Sequence, residues 1–410
     1  MTSKYQRLVA RGRAAAIPAV AVAAVAGGAI GVSSAAAKSS GHAASTISKS
    51  TLAKAKAAVA AAQNAPTWYA PGPSVNARKA LKGKTIVSFP ISSEIDACNT
   101  KGQQGYYDAE AKALGAKVIP LQSTTGPAGW QANLSQAITD KANAVMMLCG
   151  PSAAAIAPQL AQLKAHHIFV IDGNYNQTGG NPAFPTTNLS AMTGVNTIQG
   201  VQTDLADALV NLNGKPAKIL FLNSPQVAQY SGATGGLKAA IKTYCPSSCA
   251  IVKQEDFGTQ DWSGPKEIAA VTSDLQANPS INTVIVTFDG MTDGIESAVA
   301  SAAATHPGLK MYAWGGGLAE IKAVSSSSTF VGDSGPNEKW DAYNQLDQTI
   351  RLLAGKPAAP VAKEVAPNIY FTKKNAKLFS VNGAGQQYSD QAYSNGAFAK
   401  SFLKLWQVTK

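Results

Sequence analysis

From Thr85 onward, short runs of β-branched and apolar residues alternate with longer stretches whose apolar side chains recur every three or four positions. Thr85–Phe89, Lys117–Leu121, Ala144–Leu148 and Ile168–Ile171 read as strands. Gly102–Leu114, Ala128–Ala142 and Ala153–Lys164 read as the helices between them. These strands are apolar runs without alternation, the pattern of a parallel sheet covered on both faces. The same rhythm returns after Thr193. Ile198–Leu212, Gly235–Tyr244, Lys266–Gln276 and Gly294–Ala304 have helical spacing; Lys218–Leu222, Ala250–Gln254, Thr283–Thr287 and Lys310–Ala313 are strand-like. No sequence repeat accompanies the return, but the architecture is duplicated. The pattern predicts an α/β chain of two doubly wound, parallel-sheet lobes in tandem. At 410 residues it is long enough for two such cores.

The stretch before Lys84 follows a different pattern. Lys4, Arg7, Arg11 and Arg13 precede an uncharged Ala/Val-rich run, Ala14–Val32, and Ala35–Ala37 offers small residues for cleavage. Residues 1–37 therefore read as a signal peptide. Retention as a membrane anchor is the alternative, weakened by Pro18 and Gly27–Gly28 within the run. Either way the globular part is expected to be secreted, periplasmic or at the cell surface, outside the cytoplasmic membrane. Residues 38–83, rich in Ala, Ser and Lys with Pro66, Pro71 and Pro73, read as a low-complexity tether. One marginal helix, Ser50–Gln63, lies within it and lacks a wide apolar face. At the other end, Phe398, Phe402, Leu405 and Trp406 predict a final amphipathic helix packed on a lobe.

The formal charge of +12 suggests nucleic acid until its distribution is read. Twelve of the 35 Lys and Arg fall between Lys4 and Lys84, whereas all 23 Asp and Glu lie at or after Glu94. The body is thus neutral and offers no clustered cations for phosphates, so no nucleic-acid partner is expected. Four cysteines suit an oxidising compartment. Cys245 and Cys249 bracket Pro246-Ser247-Ser248, spacing for a local disulfide. A metal pair would need two more ligands, and none of His42, His166, His167 and His306 has ligand spacing to them. No metal and no cofactor are expected. Cys98 leaves the first strand and Cys149 ends the third, and these strands are neighbours in a doubly wound sheet. Their loops emerge side by side, which predicts a Cys98–Cys149 disulfide; two separate buried thiols are the alternative.

In an open parallel sheet, ligands bind beyond the carboxyl ends of the strands. Two facing sheets therefore nominate Glu94, Asp96 and Asn99 after the first strand, and Asp172, Asn174 and Tyr175 after the fourth. From the second lobe come Asn223, Tyr230, Ser231 and Trp262, then Phe288, Asp289 and Met291, then Trp314 and Asp333. Carboxylates and amides take paired hydroxyls and aromatic rings cover C–H faces, so the set suits a small polyhydroxylated ligand. Asp172, closing the clearest strand of the first lobe, is the strongest of these. Asp289 could instead be a helix cap, and Trp314 could be core above the Gly315–Gly317 turn. Tyr106 and Tyr107 read as packing residues. No nucleophile elbow, HExxH or P-loop motif occurs, and an enzyme is not expected.

The order of Lys84-Thr-Ile-Val-Ser-Phe, Val118-Ile-Pro-Leu-Gln, Ala144-Val-Met-Met-Leu, Ile168-Phe-Val-Ile-Asp-Gly-Asn, Val284-Ile-Val-Thr-Phe-Asp-Gly-Met and Glu320-Ile-Lys-Ala-Val resembles that of a known family. It is the periplasmic sugar-binding family, the type I solute-binding proteins typified by ribose- and galactose-binding proteins, and the resemblance spans about Lys84 to Asn375. It implies three crossovers between lobes, near Thr193–Asn196, Gly332–Pro336 and Pro367–Phe371. The N-terminal lobe would be 84–194 plus 334–367, and the C-terminal lobe 195–333 plus 368–410 with its extended tail. It further implies a monomer that captures a sugar, sugar alcohol or related solute for the membrane permease of an ABC importer. Presentation of ligand to a membrane sensor kinase is the alternative. Pentose binders of the family carry Asp-Arg after strand four, where this chain has Asp172-Gly173-Asn174. Their second Asp falls at Gly315 and a distal-lobe Arg at Ser231. Ribose itself is therefore not expected. The acidic, arginine-poor set suits a sugar alcohol, a modified sugar or a ligand bearing an amine.

Overall fold

The computed structural model describes residues 46–93, 95–123, 126–176, 188–376, 393 and 396–408, with backbone alone for 174–176 and 228. The predicted signal peptide, 1–37, and Glu94 lie outside the described residues. Two sheets organise the rest. The first joins β1 (Thr85–Pro90), β2 (Lys117–Pro120), β3 (Ala144–Leu148), β4 (Phe169–Asn176) and β5 (Ala191–Val195) in the order β2-β1-β3-β4-β5, all parallel. The second contains β6 (Lys218–Asn223), β7 (Ala250–Asp256), β8 (Thr283–Val286), β9 (Lys310–Trp314), β10 (Phe330–Pro336) and β11 (Asn368–Thr372). Its order is β11-β10-β9-β8-β6-β7, parallel except for the antiparallel edge strand β11.

Twelve helices flank these strands: α1 (Lys49–Ala62), α2 (Ala77–Leu81), α3 (Gln103–Ala113), α4 (Pro127–Thr139), α5 (Ala157–Ala165), α6 (Thr197–Asn211), α7 (Ala233–Tyr244), α8 (Pro265–Ala277), α9 (Ile295–Ala302), α10 (Leu318–Ser326), α11 (Glu338–Leu353) and α12 (Ala397–Leu405), counted among the described residues. β3 shows why the strand runs lack alternation. Met146 and Leu148 enter the core shared with α3 and α11, while Val145 and Met147 enter the core shared with α4 and α5. Both faces are dry, so both sets of side chains are apolar.

The chain passes between lobes three times. β5 leads into α6, which packs on the second sheet. β10 leads into α11, which packs on α3, β4 and β5 of the first. From α11 the chain returns to β11. Side-chain caps mark two of these passages: Gln199 N–H donates to Asn196 Oδ1 (3.1 Å) at the start of α6, and Trp340 N–H to Asn337 Oδ1 (2.9 Å) at the start of α11.

Two sequence expectations need correction. The segment 38–83 is not a free tether over its described part. Ala55 and Val59 of α1 are buried against Ala206 and Tyr370 of the second lobe, and Gln63 Nε2–H donates to Thr372 Oγ1 (3.0 Å). The chain then crosses to the first lobe, where Val75, Ala77, Ala80 and Leu81 join the core and Arg351 donates to Pro73 O (3.0 Å). Small alanines let α1 approach α6 closely, so a narrow face suffices and amphipathicity gives little warning. Nor does all of 368–410 belong to the second lobe. β11 does, but Phe398, Phe402, Leu405 and Trp406 pack in the core of the first sheet. The rings of Trp340 and Phe398 stack at 4.7 Å, and Trp406 Nε1–H donates to Asp347 Oδ1 (2.7 Å). The α11 surface offers aromatic and apolar partners that the tail helix needs. No helix among the described residues is long and apolar enough to cross a membrane.

Candidate functional site

The strand ends of the two lobes face each other, and the loop after β1 forms one side of the gap. Cys98 and Cys149 are bonded, their Cα atoms 5.8 Å apart, across the neighbouring strands β1 and β3. Asn99 organises the same loop. Its amide donates to Ser93 O (2.8 Å) and Asp96 Oδ1 (3.1 Å), and its Oδ1 accepts from Lys101 N–H (2.8 Å). Lys101 Nζ also pairs with Asp96 at 2.9 Å. Cys245 and Cys249 close the second disulfide, with Cα atoms 5.4 Å apart, away from the gap at the β7 entry.

Opposite lies a cluster of rings from the second lobe. Tyr230, Trp262, Phe288 and Trp314 touch one another, with Trp262 and Phe288 closest at 4.7 Å. Tyr230 and Trp314 are buried in one apolar cluster with Phe89, Ile91 and Met147 of the first lobe, so the lobes meet at this end. Trp262 is held by its Nε1–H donating to Ser224 Oγ (2.9 Å). Beside the rings opens a cleft of about 600 Å³. Ser92, Ile95, Asp96 and Ala97 line it from the first lobe. Thr259, Gln260, Trp262, Ser263, Phe288, Asp289, Gly290, Asp293 and Gly317–Glu320 line it from the second, and Glu338 from the head of α11.

The glycines after β9 make room for carboxylates. A Cβ at Gly315 would lie 2.0 Å from Asp289 Oδ1, and one at Gly317 would meet both Glu320 Oε2 (2.1 Å) and Asp289 Oδ2 (2.9 Å). Gly317 N–H at the head of α10 donates to Asp289 Oδ2 (2.5 Å), which seats this carboxyl at the helix N-terminus. Burial pushes the Asp289 carboxyl well above the usual range, and the charge of Glu320 adds to this. Burial likewise raises Glu320. Asp333, fully buried at the end of β10, is pushed well up by burial and then by Asp289, Glu320 and Asp204.

Of the predicted site residues, Asp96, Trp262 and Asp289 line one cleft, and Asp333 sits behind it against Asp289 and Glu320. Asn99 is occupied in shaping its loop. Asp172, expected to face ligand, is fully buried at the end of β4. It lies so close under Gly150 that a Cβ there would stand 1.4 Å from Oδ1, and it does not line the cleft. The turn carrying Tyr230 packs against β4 and closes this part of the gap. Trp314 is core to the lobe contact, Ser231 is partly buried and away from the cleft lining, and Asn223 donates to Thr234 Oγ1 (3.3 Å). Asn174 and Tyr175 lie on β4 by backbone, with side chains outside the described residues. Sequence reasoning missed Asp293, Glu320 and Glu338. The strand-end rule would have found Glu320, which opens the helix after β9; Glu338 comes from a crossover helix and gave no signal.

The sequence matches no family model. No curated protein matches it either. Solved structures do match the fold. A solute-binding protein of an ABC transporter from Mycobacterium smegmatis, with bound glycerol, has a TM-score of 0.58 at 17% identity over 74% of this chain and 99% of its own. The fold is that of the type I solute-binding proteins. Another ABC-transporter solute-binding protein, from Burkholderia graminis in complex with D-arabinose, has a TM-score of 0.61 at 13% identity over 73% of this chain and 99% of its own. A third, from Bacillus halodurans with bound myo-inositol, has a TM-score of 0.58 at 15% identity, covering 72% of this chain and 96% of its own. The type I fold explains why the cleft lies where two sets of parallel strand ends meet.

Proposed function

We propose that this chain is an extracytoplasmic solute-binding protein that captures a small polar ligand between its lobes and delivers it to the permease of an ABC importer. The reading rests above all on one observation: a cleft of about 600 Å³ at the mouth of both sheets, walled by Trp262 and Phe288 and bordered by Asp96, Asp289 and Glu320. That volume suits a monosaccharide-sized molecule. Rings cover its C–H face, and carboxylates accept from its hydroxyls. The folds that match this one include proteins holding glycerol, D-arabinose and myo-inositol. The act is binding and release, governed by differential contacts in open and closed states, with no covalent step. Calorimetry against a panel of sugars, polyols and their amino derivatives tests it. A one-to-one binder should emerge whose affinity falls about tenfold or more in Trp262→Ala, through loss of ring contact. A binder unaffected by both Trp262→Ala and Asp289→Asn would place recognition elsewhere and contradict the reading.

A further inference from the structure

We propose a second small-molecule site, at the crossovers rather than at the strand ends, that takes a neutral hydroxylated ligand such as an uncharged sugar or polyol. A cleft of about 590 Å³, within the range of small-molecule sites, opens where the N-terminal segment passes from one lobe to the other. Gln63, just after α1, is tied to Thr372 of the second lobe at 3.0 Å. The ring of Trp68 meets Phe402 in the core of the first lobe, with centroids 5.5 Å apart. Asn64 and Tyr69 of this short bridge line the cleft, together with Gln202 of α6, Tyr244 of α7, and Asn196 and Asn368 of two crossovers. It shares no lining residue with the strand-end cleft, so capture between the strand ends does not account for it.

The lining sets the chemistry, for it contains no Asp, Glu, Lys, Arg or His. A charged ligand entering it would shed hydration with no counter-ion in return. Each amide instead offers N–H donors and a carbonyl acceptor, which suits hydroxyls that both donate and accept. Part of this lining is already set in place. Asn196 Nδ2–H donates to Gln199 Oε1 (3.0 Å), and Asn368 Nδ2–H to Asn196 O (2.8 Å), which fixes the start of β11 against the passage into α6. The Asn64 amide and the Tyr244 hydroxyl, by contrast, make no hydrogen bond among the described residues and are open to a ligand. An independent observation singles out the same place. Among the described residues, Tyr69 is the large hydrophobic side chain left exposed, at 45%. Its O–H donates to Ala362 O (3.4 Å) and Lys363 Nζ stands 5.5 Å from its ring centroid, so the ring is held at the cleft without being buried. A fixed, exposed ring beside amides can cover the C–H face of a sugar.

Hydrogen–deuterium exchange of the full chain, read by mass spectrometry, tests this with three neutral probes: N-acetyl-D-glucosamine, sorbitol and trehalose. D-glucosamine and D-glucuronate serve as charged counterparts at about pH 6, where both carry their charge. At least one neutral probe should slow exchange in peptides covering 64–69 and 196–203, with an affinity about tenfold or more above that of either charged sugar. The protection should persist in Trp262→Ala, which disables the strand-end cleft. It should weaken about tenfold or more in Tyr69→Ala, an exposed position whose loss spares the core, and weaken in Asn64→Ala. Protection that disappears in Trp262→Ala would be a change transmitted from the strand-end cleft and would overturn the inference. So would protection unaltered in Tyr69→Ala, charged sugars protecting as well as neutral ones, or no protection of these peptides by any neutral probe. Each of these results leaves the solute-binding reading standing, because that reading rests on the strand-end cleft alone.

Discussion

Glu267 illustrates how a single buried carboxyl sets a measurable property of the fold. It opens α8 fully buried, accepts Ser263 N–H at 2.6 Å, and is pushed up to about 7, first by burial and then by the charge of Asp261. Asp108, which accepts from Ser88 Oγ at 2.7 Å, and Asp207 are each raised to about 6 by burial. The unfolded chain ionises these groups near pH 4, whereas the folded chain holds their protons to about pH 6 to 7. Between those limits the folded state binds more protons, so stability falls as pH rises and stays lower above about 7. The urea midpoint should therefore be lower at about pH 8 than at about pH 5, and Glu267→Gln should flatten part of that slope. A midpoint rising through this window would contradict the burial assigned here.

At the scale of elements, α1 is the least expected. Ala55 is fully buried where α1 meets α6, so Ala55→Leu should overpack the contact and cost about 1–3 kcal/mol in urea unfolding. A free tether would leave stability unchanged. The strands were legible because burial on both faces writes itself as unbroken apolar runs, as in Ala144–Leu148. α11 was not, for the opposite reason. It buries Asp341, Asn344, Gln345, Asp347 and Gln348 among its apolar residues, and Asp347 pairs with Arg351 at 2.5 Å, so hydropathy along it looks solvated. The same logic divides the site. Asp96, Trp262 and Asp289 follow strands and could be read from position alone. Asp172 also follows a strand, yet it is fully buried under Gly150 and does not line the cleft, a tertiary event with no local trace. The Cys98–Cys149 link was accessible because strand order alone brings those loops together.

For the whole molecule, the three crossovers are joined by an additional connection: the N-terminal segment, docked by α1 on the second lobe and by α2 on the first. The cleft is thus bordered by a loop pinned through Cys98–Cys149 on one side and by carboxylates seated on glycines on the other. Such a frame is preorganised on both walls, which lowers the ordering cost of capture. The most direct test is native mass spectrometry of the chain purified from its own host, alongside Trp262→Ala and Asp289→Asn. One small polar molecule should travel with the folded protein at one-to-one stoichiometry and be depleted in both variants. A co-purifying molecule retained undiminished by both variants, or a chain that carries none and takes up none from the host's own small-molecule extract, would contradict capture in this cleft.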